Sequence, residues 1–262
     1  MDLEFLRGAA EKAARRAGEF LRENLFRPHR ISHKGKIDLV TEADPEAERL
    51  ILGVLKEETP EIPVLGEELS KIEPQGLYWL VDPLDGTTNY AHGFPWFGVS
   101  VALMKDDLPL VGVIYHPMQE EMFSASRGKG AFLNGTPIRV SETEDPEKAL
   151  LATGFPYNIH EKPEKVTSAF KEFLTKVQGI RRAGAASLDL AYVACGRFDG
   201  FWEALLKPWD TAAGILLVEE AGGQVTNYLG EAYTPFQKHL VATNGKIHEF
   251  MLKITFKYLP EE

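Results

Sequence analysis

Leu3, Leu6, Ala10, Ala13, Ala14, Ala17 and Leu21 recur at helical spacing, so the first element is an amphipathic helix ending near Arg27-Pro28. Residues 29–43 are polar and read as a loop with a short extended piece. Asp44-Pro45-Glu46 has the look of a helix start, with an N-cap, a proline at the first position and an acid in the first turn; that helix runs to about Glu58. Short apolar runs at Ile62–Leu65 and Leu77–Val81 predict strands. Val99–Leu103, Val111–Tyr115, Glu121–Ala125 and Ala131–Val140 follow as an antiparallel meander, with Asn134-Gly135 as a hairpin turn.

Beyond the polar segment Ser141–Lys148 the pattern changes. Strands near Leu150–Thr153, Ile180, Gly200–Ala204 and Leu240–Ala242 alternate with helices at Pro163–Val177, Ser187–Cys195, Thr211–Ala221 and Lys246–Phe256. Alternation of this kind predicts an α/β layer. Two subdomains are expected, 1–143 (α+β) and 144–262 (α/β).

Composition narrows the picture. Of 262 residues, 44% are hydrophobic and 26% charged, which fits one large folded unit and excludes general disorder. The net charge of −10, with only short basic pairs at Arg15-Arg16 and Arg181-Arg182, argues against nucleic acid as a partner. No apolar run approaches the roughly 18 residues of a membrane span, and Met1 to Asn24 lacks the apolar stretch of a signal peptide. Cys195 is the one cysteine, so an intrachain disulfide is impossible and a reducing cytoplasm fits.

The chemistry concentrates where Trp79-Leu80-Val81 runs into Asp82-Pro83-Leu84-Asp85-Gly86-Thr87-Thr88. Pro83 is expected to stop the strand, and Gly86 permits a tight turn. An acid at the end of a buried strand needs a partner, and two adjacent carboxylates repel unless a cation lies between them. The Gly-Thr-Thr that follows offers backbone N–H groups and a hydroxyl to an anion. Metal ligands beside an anion cradle point to phosphate chemistry. Further acids mark element ends at Asp38/Asp44, Glu67/Glu68 and Asp210; taken alone, Asp44 and Asp210 read first as helix caps and Glu67-Glu68 as a solvated loop. Trp79, Trp96, Trp202 and Trp209 read as core aromatics, and His29/His33 as a surface pair rather than a zinc site. Phe201, not arginine, stands six residues after Cys195, which excludes a cysteine phosphatase. Two residues separate Asp82 from Asp85, which excludes the aspartyl-phosphate pattern, and no P-loop motif occurs.

Gly66-Glu67-Glu68, Asp82-Pro83-Leu84-Asp85-Gly86-Thr87-Thr88 and Trp209-Asp210-Thr211-Ala212-Ala213-Gly214, together with Asp38-Leu39-Val40-Thr41-Glu42-Ala43-Asp44, closely resemble the inositol monophosphatase family of magnesium-dependent, lithium-sensitive phosphatases. The resemblance implies a layered αβαβα sandwich, with a larger antiparallel sheet in the first half and a smaller mixed sheet in the second. It implies a first Mg²⁺ on Glu67, Asp82 and the Leu84 carbonyl, a second on Asp82, Asp85 and Asp210, and a third, weaker ion by Glu67. Thr87 and Asp44 match the residues that position and deprotonate the attacking water, with Glu67 nearby. Asp85, Gly86, Thr87, Gly184, Ala185, Ala186 and Glu203 match those that hold substrate. Ala185 departs from the threonine frequent in the family, and residues 33–41 match a closing loop. Hydrolysis of inositol monophosphate without a covalent intermediate is the leading expectation. Alternatives are a fructose-1,6-bisphosphatase using Arg181, Arg182 or Lys207, a bisphosphate nucleotidase, and a metal-dependent regulatory module. Homodimers are usual in the family, and a tetramer stays open.

Overall fold

The computed structural model describes residues 1–27, 31–33, 39–69, 75–161 and 163–259. Small side chains explain its first layer. Helices α1 (Leu3–Asn24) and α2 (Ala43–Glu58) lie side by side, and α1 buries Leu6, Ala10, Ala13, Ala14, Ala17 and Leu21 against a sheet. Strands β1 (Ile31–His33) and β2 (Leu39–Thr41) pair antiparallel between the two helices in the chain.

The large sheet holds β3 (Val64–Gly66), β4 (Leu77–Asp85), β5 (Gly98–Lys105), β6 (Leu108–His116), β7 (Glu121–Ser126), β8 (Ala131–Leu133) and β9 (Thr136–Ile138), paired in chain order. The pairing is antiparallel apart from β3 beside β4. A short helix, α3 (Thr87–Ala91), leaves the end of β4. The second sheet is ordered β11-β10-β12-β14-β13, from β10 (Leu150–Thr153), β11 (Gly179–Arg181), β12 (Gly200–Ala204), β13 (Gln224–Thr226) and β14 (His239–Thr243). It is mixed: β10 runs parallel to β11 and β12, and β14 antiparallel to β12 and β13. Helices α5 (Ala186–Ala194) and α6 (Pro208–Glu220) pack on each other, with α6 against the large sheet and their shared core reaching the small one. Helices α4 (Pro163–Leu174) and α7 (His248–Thr255) cover the outer face of the small sheet through Phe173, Met251 and Ile254. The layers therefore run αβαβα, as the resemblance implied.

Strand alternation decides which core each residue serves. On β5, Val99, Val101 and Leu103 face α1 and α2, whereas Ala102 and Met104 face α5 and α6. On β6, Gly112 lets α6 rest directly on the sheet: a Cβ there would lie 2.6 Å from the Ala213 carbonyl oxygen. Because α6 carries Asp210, Gly112→Ala is expected to cost about 1–3 kcal/mol from overpacking. A lower Tm in the variant checks this; an unchanged Tm contradicts it.

Two local expectations are corrected. Pro83 does not end β4, which continues to Asp85 and pairs it with Gly98 across a register shift between Asp82 and Asp85. The missing proline N–H makes a bulge rather than a stop, because the antiparallel neighbour holds the chain on both sides. Asp44 is not the N-cap of α2: the helix begins at Ala43, and Asp44 lies in its first turn. Strand β13 was not foreseen, being only three residues long. Trp79 and Trp202 are buried in the core, and Trp96 and Trp209 pack partly buried against it. His29, Asp38 and residues 34–38 of the expected closing loop lie outside the described residues.

Candidate active site

The bulge of β4 turns both of its aspartates toward one cavity of about 500 Å³. Glu67 reaches it from the segment after β3, where its backbone N–H donates to the Val81 carbonyl at 3.2 Å. Asp210 reaches it from the first turn of α6, held by the Lys207 N–H at 2.7 Å. Ser100 of β5 donates to the Trp209 carbonyl at 3.1 Å and so ties that turn to the large sheet. Gly86, Thr87, Gly184, Ala185, Ala186, Glu203 and the residue Leu84 line the same cavity. Arg182 and Lys207 line it too, whereas Arg181 does not.

Like charges dominate this space. Burial pushes the Asp82 carboxyl well above the usual range, and repulsion from Glu67, Asp85 and Asp210 adds to it. Burial likewise raises Asp210, with Asp85 next in effect and Glu67 and Glu203 behind. Asp85 is pushed up to about 6 by burial, against hydrogen bonds that favour its charged form. Its Oδ2 accepts from the Ser187 N–H at 2.7 Å and the Ser187 hydroxyl at 2.5 Å. Glu203 is raised to about 8 by burial, partly offset by Arg182. Lys207 acts on Asp210 through its backbone N–H, which opposes the shift.

Asp44 stands apart, only 2% exposed. Its Oδ2 accepts from the Thr41 N–H at 2.9 Å and the Thr41 hydroxyl at 2.6 Å, and its Oδ1 from the Thr87 hydroxyl at 2.9 Å. The Thr87 hydroxyl also lies 3.0 Å from the Leu84 carbonyl. One hydroxyl proton faces two acceptors, so a lone pair of Thr87 is left for a third group. Burial raises the Asp44 carboxyl, and the bonds from Thr41 and Thr87 oppose the shift.

Backbone conformation fixes the rest. Gly86 has φ +97°, and a Cβ there would lie 3.1 Å from the Trp96 carbonyl oxygen and 3.2 Å from that of Gly184. Asn89 of α3 donates to the carbonyls of Trp96 at 2.7 Å and Ala183 at 2.9 Å, stitching the anion-facing turn to the loop ahead of α5. Residues that sequence reasoning missed are Ser187, Asn89, Asp189 and Glu48. Glu48 of α2 is fully buried and accepts from the N–H groups of Glu68 at 2.8 Å and Leu69 at 3.0 Å.

Among the described residues, no three His, Cys, Asp or Glu side chains form a ready-made metal cage. Asp82, Asp85 and Asp210 each spend carboxylate oxygen on nearby N–H groups and keep the remainder for the cavity. Hard oxygen donors of this kind fit Mg²⁺, which takes one or two carboxylates and retains water, and not tetrahedral zinc.

A pH dependence follows. The folded values of Glu203, Asp82 and Asp210 lie above their unfolded ones, so near neutrality the folded chain holds more protons than the unfolded chain. Stability is then lost as pH rises through the folded value, about 8 for Glu203. His116 and His248, lowered to about 4 from 6.5, act oppositely and only below that range. The Tm of metal-free protein is therefore expected to fall between about pH 6.5 and 8, and added Mg²⁺ to raise it most at the alkaline end. A metal-free Tm that is flat or rising across that window contradicts this.

The comparisons with known proteins agree with one another. A sequence profile described as the inositol monophosphatase family matches residues 2–258. The chain is 44% identical over 259 residues to the Nus factor SuhB of Pseudomonas aeruginosa, covering 96% of each protein. It is 42% identical over 254 residues to the inositol-1-monophosphatase of Synechocystis sp., covering 95% of this chain and 88% of the relative. Its fold matches the solved inositol monophosphatase of Anabaena with a TM-score of 0.89 at 40% identity, covering 99% of this chain and 98% of the other.

Proposed function

This chain belongs to the inositol monophosphatase family, and on that premise we propose that it hydrolyses inositol monophosphate to inositol and phosphate with Mg²⁺. The observation that carries the reading is the meeting of Glu67, Asp82, Asp85 and Asp210 around one cavity, beside the Asp44–Thr87 pair.

In this reading Glu67, Asp82, the Leu84 carbonyl, Asp85 and Asp210 hold two Mg²⁺ ions, with a third by Glu67. When bound, the ions supply charge stabilisation to the phosphoryl oxygens and lower the pKa of bound water. The residues do the rest. Thr87 orients the attacking water through its free lone pair, and Asp44 Oδ1, 2.9 Å from the Thr87 hydroxyl, receives the proton through it. Glu67 assists in holding the water. The N–H groups around Gly86 and Thr87 grip the phosphate, and Asp85, Gly184, Ala185, Ala186 and Glu203 receive the polyol. Cys195 caps the C-terminal end of α5 instead of lining the cavity, which fits a route without a phosphorylated side chain. Lithium inhibition, a homodimer with a tetramer as the alternative, and a cytoplasmic location complete the proposal.

Phosphate release across inositol, fructose and nucleotide phosphates, with and without Mg²⁺, tests it. Mg²⁺-dependent release from inositol monophosphate is expected. A preference of about tenfold or more for fructose-1,6-bisphosphate reverses the substrate assignment. In single turnover in H₂¹⁸O, the label enters phosphate; a trapped phosphorylated residue overturns the direct route.

A further inference from the structure

We propose that Asp189 is a substrate-binding residue that accepts a hydroxyl of the substrate, so that the cavity selects polyol monophosphates over monoesters without hydroxyls. The inference rests on the phosphatase reading above and deepens it. Asp189 sits in the first turn of α5, whose N-cap is Ala185, and it lines the same cavity as Glu203 and Arg182. It is 1% exposed, yet its Oδ1 has no hydrogen-bond partner. Asp82, Asp85 and Asp210 each accept a backbone N–H, from Leu84, Ser187 and Lys207.

A buried carboxyl oxygen without a donor is costly, and native folds keep few of them. A ligand hydroxyl supplies the missing donor, and a carboxyl presents an acceptor oxygen to it in either protonation state. The surroundings suit a hydroxylated ring. The Glu203 carboxylate fills the space that a Cβ on Gly154 would take, 2.1 Å from Oε2. The Arg182 guanidinium lies 5.6 Å from the Phe155 ring centroid and acts electrostatically on both acids. Two carboxyls and one guanidinium give this end the donors and acceptors that a polyol uses, with no surplus positive charge for a second phosphate.

The test compares kcat and KM for inositol monophosphate and for phenyl phosphate, which has no hydroxyl, in the wild-type chain, Asp189→Leu and Asp189→Asn. Asp189→Leu is expected to lower the ratio of kcat/KM between the two substrates about tenfold or more, mainly through KM for the polyol. Its Tm is expected to equal or exceed that of wild type, because an unpartnered acid has been removed. Asp189→Asn keeps an acceptor oxygen and is expected to hold the ratio within about threefold. If Asp189→Leu does not fold, Asp189→Ser withdraws the oxygen and carries the same expectation for the ratio. An unchanged ratio in the folded Leu or Ser variant overturns the inference. So does a lower Tm in Asp189→Asn with equal losses on both substrates, which marks a structural role. Wild-type protein that releases phosphate from neither substrate overturns the phosphatase reading itself, a result distinct from activity with an unmoved ratio.

Discussion

Asp85→Asn lowers Mg²⁺-dependent phosphate release by about a thousandfold or more while the chain stays folded. Asp85 Oδ2 is committed to Ser187, so its remaining oxygen and its charge are what it offers the cavity. Asparagine copies the shape and can still accept from Ser187 through its amide oxygen. It carries no charge, and its nitrogen is no ligand for a hard cation. The substitution also removes one member of a mutually repelling group, so the metal-free variant is expected to be at least as stable as the parent. Steady-state rates and thermal melts on the same preparation check both halves. Activity within about tenfold of the parent removes Asp85 from the metal-binding role.

The second large effect is expected at Glu48→Met. Glu48 lies one turn beyond Asp44 on α2 and points at the segment carrying Glu67, where it accepts from Glu68 and Leu69. Gly66 makes room for it: a Cβ there would lie 2.2 Å from Glu48 Oε1. Methionine fills the space but accepts nothing useful, so two N–H groups lose their partner, at about 1–3 kcal/mol each. Glu67 then loses its fixed position, and phosphate release is expected to fall about a hundredfold, with Tm falling alongside. Glu48→Gln, which keeps one acceptor, recovers part of both. Full activity in Glu48→Met shows that Glu67 is positioned by other means.

These two residues differ in how visible they are in the sequence. Asp85 and Asp82 stand out because they interrupt an apolar strand, and a buried strand end makes an acid conspicuous. Glu48 does not stand out. It shares α2 with Glu46, Glu57 and Glu58, and only the packing of that helix on the sheet tells the buried acid from the solvated ones. Asp189 carried a usable signal, since it lies between Leu188 and Leu190 on a helix buried along most of its length. The desolvation argument applied to Asp82 would have found it. Asp44 shows the opposite error. Its Asp-Pro-Glu context favours a cap by local propensity, but Thr41 and Thr87 claim both of its oxygens. The layer order and most elements were legible from apolar periodicity and the resemblance. The continuation of β4 past Pro83 was not, because the neighbour that holds it, β5, is a tertiary contact.

Crystals soaked in Mn²⁺, with the ion located by its anomalous scattering, test the central claim most directly. The account predicts ions inside the cavity at about 2 Å from carboxylate oxygens of Asp82, Asp85, Asp210 and Glu67. Ions found only elsewhere, with these four side chains unligated at saturating metal, contradict it.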